Sequence, residues 1–288
     1  QLNFEAGNRI VMAFDPARTN DNSILSMMRL TNDANYGYIG EIVNCVNFVD
    51  PNSSKGYKLD SNRQLARIRE NLALYNGQAL DYENIEVLLV DAGAGGGGTS
   101  TYGDGLLNDW TDKNGRTHRG LIDKTSDIYK GYEEIYPNAV DKLRLLSPRK
   151  YKTQMVEEFI ELMDLGVIKF PFEYKQEYIS FARDDGDNQK METYQLSTKE
   201  VVALQSIDIM KNEITSIYKY TNSANTSVTY ALAKEKETNP NFHDDRFYTV
   251  IMLAHYLYGL RRGQTVQSTP QEKFSFASAP RCVSSISF

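Results

Sequence analysis

The sequence predicts an α/β domain with a mixed sheet flanked by helices, and three observations support this. Two short apolar runs, Arg9–Asp15 and Ile85–Asp91, each have the length of a buried strand and end in aspartate. Hairpin and amphipathic-helix patterns lie between them. The composition, 41% hydrophobic and 24% charged over 288 residues, is that of a folded globular protein and excludes a disordered chain.

The segment between the two runs determines how they sit in the sheet. Residues 23–29 and 36–48 predict a hairpin across a turn-rich loop, and apolar residues at helical spacing over 65–75, after a candidate cap at Ser61, predict a helix. A right-handed crossover then lays the second run parallel to the first. We therefore expect Asp15 and Asp91 to end neighbouring strands at one edge of the sheet.

The rest of the chain predicts further strands and helices and an added subregion. We expect an extended strand over 142–146, a helix over 155–163 that ends near Gly166, a short extended segment over 167–171 and a hairpin over 174–196. A capping box at 197–200 predicts the start of another helix, and residues 243–263 predict a long buried helix. We expect one domain over 1–262, an insertion over 172–219 within it, and an extended tail over 263–288.

Charge and cysteine content exclude several functional classes. A formal net charge of −6 argues against a protein that coats nucleic acid nonspecifically, so any contact with nucleic acid needs a local basic surface. Cys45 and Cys282 lie far apart with no histidine beside them, which predicts neither a zinc site nor a disulfide framework and fits a reducing, intracellular compartment. No apolar run reaches the roughly 20 residues of a membrane span. The start at Gln1 leads us to expect a fragment of a longer protein.

Four aspartates are the candidate ligands and catalytic residues. Asp15 and Asp91 end predicted strands, and Asp244 and Asp245 open the last helix, so three elements could direct carboxylates to one place. Carboxylate oxygens are the ligands that Mg²⁺ and Mn²⁺ prefer, and two such ions about 3.5 to 4 Å apart serve phosphodiester cleavage. Aspartate is also common in turns, and Asp244 is a good helix cap. Two aspartates directly after buried strands favour the metal-site interpretation.

The glycine-rich segment 93–98 is compatible with more than one interpretation. It formally matches the dinucleotide-binding fingerprint after a strand, but Asp91 would repel a pyrophosphate, and the segment does not open a βαβ unit. No P-loop is present. A flexible connector is the simpler alternative.

Basic residues provide candidate DNA contacts. They are Arg18 beside the first aspartate, the group Arg144, Arg149, Lys150 and Lys152, and Arg116, His118 and Arg119 in a polar loop. A solvated surface explains each of them equally well. His243 is either a metal ligand or a capping neighbour, and we expect His255 to lie in the core.

These features together resemble the nuclease domain of the large terminase subunit of tailed bacteriophages. Phe14-Asp15-Pro16 resembles its first acidic motif, Val90-Asp91-Ala-Gly-Ala-Gly its second, and His243-Asp244-Asp245 its third. The resemblance covers about residues 8–262 and departs from the family at Tyr248, where many relatives have another aspartate, and in the length of 172–219. It favours Asp245 over Asp244 as the third ligand.

The resemblance implies a ribonuclease H-like mixed sheet and a two-metal endodeoxyribonuclease using Mg²⁺ or Mn²⁺. It further implies cutting of concatemeric double-stranded viral DNA during genome packaging in the cytoplasm of an infected bacterium. The implied partners are an upstream ATPase motor domain of the same polypeptide, a small terminase subunit and a portal ring. Two alternatives stay open: an actin- or hexokinase-like phosphotransferase, which normally has two copies of the core, and a catalytically silent relative that binds nucleic acid or protein.

Overall fold

The structure, a computed structural model, describes most of the chain up to the end of the last helix. The described residues are 9–16, 22–49, 59–77, 81–93, 99–184, 189–221, 227–233 and 243–267. The predicted loop at Arg18, the predicted hairpin tip at 185–187 and most of the predicted tail and of the glycine-rich segment lie outside these residues.

The described residues form short and long strands interleaved with helices. The strands are β1 (Arg9–Asp15), β2 (Ile24–Asp33), β3 (Gly37–Asn47), β4 (Ile85–Asp91), β5 (Trp110–Thr111), β6 (Thr117–His118), β7 (Leu121–Ile122), β8 (Val140–Asp141), β9 (Leu143–Leu146), β10 (Ile168–Lys169), β11 (Tyr178–Asp184), β12 (Gln189–Gln195), β13 (Ile217–Thr221) and β14 (Val228–Leu232). The α-helices are α1 (Ser61–Asn76), α2 (Asp104–Leu107), α3 (Tyr132–Ile135), α4 (Pro148–Asp164), α5 (Thr198–Ile214) and α6 (Asp245–Gln267). A π-helical turn (Thr99–Gly103) and a 3-10 turn (Asp127–Tyr129) complete the set.

A mixed sheet is the centre of the part of the chain that the structure describes. Its six strands lie in the order β10-β3-β2-β1-β4-β9. β1, β2 and β3 pair antiparallel, whereas β4 pairs parallel with β1 and β9 pairs parallel with β4. This is the ribonuclease H-like arrangement that the sequence predicts, and the antiparallel half excludes a doubly wound dinucleotide-binding sheet.

Helices cover both faces of the sheet, and an apolar layer fills each interface. One layer joins the sheet to α4, α5 and α6, and the other joins it to α1 and the segments around residues 102–145. Alternating residues of β1 divide between the two layers, with Val11 and Ala13 in the first and Met12 and Phe14 in the second. The apolar residues of α6 are buried, as their wide distribution around the helix predicts.

Two details differ from the sequence-based predictions at helix ends. The carboxylate of Asp60, not Ser61, caps α1 by accepting a hydrogen bond from Arg63 N (3.0 Å), because Ser61 is already the first helical residue. α6 continues past Gly263 to Gln267. The capping box at Ser197 and Glu200 is present as predicted.

The added subregion, as we name the segment between β10 and α6, overlaps the insertion that the sequence predicts over 172–219. It comprises the β11–β12 hairpin, α5 and the β13–β14 hairpin. α5 packs on β3 and α6, so this subregion is attached to the central sheet through buried residues such as Ile207 and Met210. None of the helices in the described residues is long and apolar enough to cross a membrane.

Candidate metal and nucleic-acid site

Asp15 and Asp91 lie side by side at one edge of the sheet. Each directly follows a residue of the last parallel pair, Phe14 with Val90. Side chains alternate along a strand, and the preceding pair faces the α1 layer. The two aspartates therefore leave the sheet on the face covered by α4 and α6, about 5 Å apart at the backbone, the usual spacing of neighbouring strands.

The carboxylate of Asp91 is held by the turn that follows β4. Its Oδ1 accepts a hydrogen bond from Gly93 N (2.7 Å), and Gly93 has a φ of +69°, a backbone conformation that favours glycine. Burial raises the pKa of Asp91, and the Gly93 bond only partly offsets this. Among the described residues no ion pair neutralises this carboxylate, so a half-buried negative charge lies beside a second acid.

The start of α6 comes to the same face of the sheet. The hydroxyls of Ser26 on β2 and Thr249 on α6 lie 2.6 Å apart in a buried hydrogen bond, and Ser26 pairs with Ala13 of β1. The N-terminus of α6, four to five residues earlier, therefore lies towards the end of β1. Asp244 precedes the helix, and its carbonyl accepts the first helical hydrogen bond, from Tyr248 N.

The two aspartates at the start of α6 have different environments. Asp245 is 6% exposed, and its Oδ2 accepts hydrogen bonds from Asn22 N (2.7 Å) and Asn22 Nδ2 (3.2 Å), which tie α6 to the segment before β2. The Asp244 carboxylate is more exposed and lies 3.5 Å from Lys152 Nζ. Asp244 is therefore the more accessible of the two carboxylates, whereas the preference drawn from the sequence is for Asp245.

Lys152 and Tyr248 complete the group of polar side chains here. Lys152 Nζ donates to Tyr248 Oη (2.9 Å) and lies beside Asp244. Burial raises the pKa of Tyr248; Lys152 opposes this shift, and the charges of Asp244 and Asp15 add to it. The charges of Asp244 and Asp15 therefore both act on the tyrosine hydroxyl, which indicates that both acids lie near Tyr248.

The carboxylates of Asp15, Asp91 and Asp244 have the oxygen chemistry that a hard divalent cation prefers. They come from two strand ends and the residue before α6, and the half-buried Asp91 has no ion-pair partner in the described part of the chain. Within the described residues, no three histidine, cysteine, aspartate or glutamate side chains approach closely enough to hold an ion.

The predicted basic residues fall into separate groups. Arg149 and Lys150 are exposed in the first turn of α4, which begins one residue after β9, the parallel neighbour of β4, and Lys150 stacks over Tyr151 (5.1 Å). Arg144 instead pairs with Asp141 (2.6 Å) and the buried Asp123. It is therefore a structural residue and not a free phosphate contact.

The histidines and Arg119 of the predicted set also have partners within the protein. His118 stacks on Trp110 and pairs with Asp112, while Arg119 pairs with Asp81. His255 is not a core residue: its side chain is 34% exposed, and its Nδ1 lies 2.6 Å from Glu158 Oε2. His243 lies two residues before α6 and also has an interaction partner.

Comparisons with known proteins return terminase nucleases among solved structures. The large terminase nuclease of thermophilic phage G20c with bound magnesium is 10% identical, with a TM-score of 0.44, covering 88% of this chain and 84% of that one. The human cytomegalovirus terminase nuclease domain, soaked with manganese and inhibitor-bound, is 14% identical with a TM-score of 0.38, covering 86% and 82%. A mutant nuclease domain of the large terminase subunit gp2 of bacterial virus Sf6, with manganese and β-thujaplicinol, is 12% identical with a TM-score of 0.38, covering 87% and 90%.

No family model matches the sequence, and no curated protein is significantly similar to it. At these identities and TM-scores, the similarity does not show which residues of this chain are functional. Any role proposed for a residue therefore rests on the geometry of this chain.

Tyr248, Asn22 and Glu213 have site-related contacts that the sequence did not single out as functional. Tyr248 was recognised only as a departure from an acidic motif. The spacing could have indicated a contact near Asp244, because Tyr248 follows it by four residues and so lies on the same face of α6. Asn22 lies 223 residues from its partner Asp245, and Glu213 lies 33 residues from its partner Arg246. No local sequence pattern predicts either contact.

Proposed function

We propose that this chain is a divalent-metal-dependent nuclease that cuts double-stranded DNA, with Asp15, Asp91 and Asp244 as its metal ligands. The adjacency of Asp15 and Asp91 at the ends of parallel strands, with their side chains on the face covered by α6, is the observation that supports this most. Asp245 acts in support of them by holding the N-terminus of α6 through Asn22.

The residues fit the needs of phosphodiester hydrolysis. Mg²⁺ or Mn²⁺, when bound in a pair, activates the attacking water and stabilises the leaving oxygen. Asp15 and Asp91 supply negative charge on rigid strand ends, which fixes the ligand oxygens with little loss of entropy. The raised pKa of Asp91 reflects a partly desolvated carboxylate whose charge a cation would stabilise.

The start of α4 provides a surface for the DNA backbone. Arg149 and Lys150 are exposed in the first turn of α4, before a kink at Tyr151, and Lys152 follows the kink, beside Asp244. A protein with a net charge of −6 must meet DNA through a local basic surface of this kind. We propose these three residues, together with Arg18, as DNA contacts.

The biological setting follows from the resemblance and is likewise proposed. It comprises the cutting of concatemeric viral DNA during packaging in the host cytoplasm, an ATPase motor domain upstream in the same polypeptide, and a small terminase subunit and portal ring as partners. Neighbouring solved structures are described as terminase nucleases with magnesium, cobalt or manganese, which agrees with the proposed use of divalent ions.

Conversion of supercoiled plasmid tests the activity directly. The purified chain should produce nicked and linear plasmid with Mn²⁺ or Mg²⁺, and excess EDTA should stop the reaction. Absence of cleavage with either ion by a folded chain would favour the silent relative. A rise in melting temperature with nucleotide but not with metal would favour the phosphotransferase, since only ligands of the folded state stabilise it.

A further inference from the structure

A buried carboxylate from the added subregion caps the helix that carries the third acidic position. Glu213, in the last turn of α5, accepts hydrogen bonds through Oε2 from Arg246 N (2.8 Å) and Phe247 N (3.2 Å). Its Oε1 accepts one from Arg246 Nη1 (2.8 Å). Glu213 and Arg246 are 4% and 7% exposed, so this ion pair is almost entirely shielded from water.

This arrangement replaces the capping interaction that the sequence predicts for α6. The residue before a helix usually accepts, through its own side chain, hydrogen bonds from the backbone N–H groups of the second and third helical residues. In α6 that residue is Asp244, and those groups belong to Arg246 and Phe247. Glu213 occupies both of them, so the Asp244 carboxylate does not serve as the cap and lies beside Lys152 instead.

We infer that Glu213 is a positioning residue that leaves the carboxylate of Asp244 available as a metal ligand by capping α6 in its place. This inference rests on the proposed metal-dependent nuclease function. It gives the added subregion a role in the site, because α5 carries the capping carboxylate to the helix that bears Asp244. Loss of Glu213 frees two helix N–H groups, and Asp244 stands at the position whose side chain ordinarily takes them.

Arg246 strengthens this constraint. Its Nη1 binds Glu213, whereas its buried Nε has no hydrogen-bond partner among the described residues. A buried guanidinium without its carboxylate is costly, so Arg246 holds Glu213 over the helix start. The ion pair and the two N–H bonds together fix the carboxylate of Glu213 in a single position.

Mn²⁺ binding measured by electron paramagnetic resonance on the full chain tests this inference. We expect Glu213→Ala and Asp244→Asn each to weaken Mn²⁺ binding by about 10- to 100-fold, the usual cost of losing a residue that orients a ligand. In the double variant, Asp244→Asn should cost almost nothing further, because Asp244 has already turned to cap the helix.

A matched control separates positioning from general stability. Glu158 is a buried carboxylate of α4 that also binds α6, through His255, about 15 Å along the helix from Asp245. Glu158→Ala should lower the melting temperature while leaving the Mn²⁺ affinity unchanged. Equal Mn²⁺ affinities for Glu158→Ala and Glu213→Ala would overturn the inference, as would fully multiplicative losses in the double variant.

Two further outcomes are distinguishable. If the wild-type chain binds no Mn²⁺, the proposed function fails and the inference fails with it. If Glu213→Ala does not fold, Glu213→Gln is measured in its place. It keeps an acceptor oxygen for the helix N–H groups, so Asp244 is not drawn to the helix end and the Mn²⁺ affinity should stay close to that of the wild-type chain. A loss of Mn²⁺ affinity in Glu213→Gln as large as that in Asp244→Asn would overturn the inference.

Discussion

Lys152 and Asp244 form an ion pair, with 3.5 Å between Nζ and Oδ2, on the face of the sheet where Asp15 and Asp91 end their strands. The ammonium also donates to Tyr248, so it is fixed between α4 and α6. An ammonium in this position partly neutralises the acids and would compete with the proposed divalent ion for Asp244.

Replacement of Lys152 should therefore separate metal binding from DNA binding. In Lys152→Met, loss of the competing positive charge should strengthen Mn²⁺ binding several-fold, because like charges disfavour a bound cation. Affinity for DNA should fall, since a proposed phosphate contact is lost. Titration of Mn²⁺ without DNA and of DNA with Ca²⁺ measures the two effects. Weaker Mn²⁺ binding by this variant would contradict the placement of Lys152 beside the ligands.

Substitution of the two aspartates at the start of α6 should have different effects on metal binding and stability. Asp244→Asn should weaken Mn²⁺ binding and plasmid cleavage by at least about 10-fold with little change in melting temperature. Asp245→Asn should lower stability by about 1 to 3 kcal/mol, because the buried carboxylate accepts two hydrogen bonds from Asn22. Thermal unfolding together with Mn²⁺ titration measures both. The reverse pattern would return the ligand role to Asp245.

The first turn of α4 should control the salt dependence of DNA binding. Removal of both exposed charges in Arg149→Ala/Lys150→Ala should reduce the slope of log affinity against log salt by about 2, since each phosphate contact contributes about 0.9. Arg67→Ala is a suitable control, because Arg67 is an exposed residue of α1, on the opposite side of the sheet, and pairs with Glu70. An equal change of slope in Arg67→Ala would contradict the proposal that Arg149 and Lys150 contact DNA.

Burial makes Glu213 a source of pH-dependent stability. Burial raises the pKa of Glu213 from 4.5 to about 7, against the opposing effects of Arg246 and the two helix N–H groups. The folded state holds the proton more tightly than the unfolded chain, so this contribution is fully present below about pH 4.5 and is lost as the pH rises towards 7. The Cys45 thiol also faces Glu213, and its own pKa is raised by burial.

Thermal unfolding between pH 5 and 8 measures this contribution. The melting temperature of the wild-type chain relative to Glu213→Gln should be higher at pH 5 than at pH 8, by the equivalent of at most about 3 kcal/mol. Comparison of the two chains at each pH cancels the titration of other groups. A difference that is constant over this range would show that Glu213 stays ionised throughout.

Local patterns were sufficient to predict the sheet and the first two acids. β1 and β4 are continuous apolar runs that end in aspartate, and the helix between them sets the crossover that makes them parallel neighbours. Strand direction and order therefore place Asp15 beside Asp91 without any knowledge of side-chain contacts.

The environment of the third position depends on residues distant in sequence and could not be predicted in this way. Asn22 binds Asp245 from the segment before β2, and Glu213 caps α6 from the added subregion, so tertiary contacts set the environments of Asp244 and Asp245. Arg144 illustrates the same limit, because Asp123 and Asp141 bind it and remove it from the predicted basic surface.

Paired substitution of the two strand-end aspartates tests the proposed site most directly. Plasmid cleavage with Mn²⁺ is measured for the wild-type chain, Asp15→Asn and Asp91→Asn, with Mn²⁺ binding and melting temperature measured on the same samples. Both variants should fold, bind Mn²⁺ at least about 10-fold more weakly and lose detectable cleavage. Folded variants that still cut plasmid at the wild-type rate would contradict a metal site built on Asp15 and Asp91.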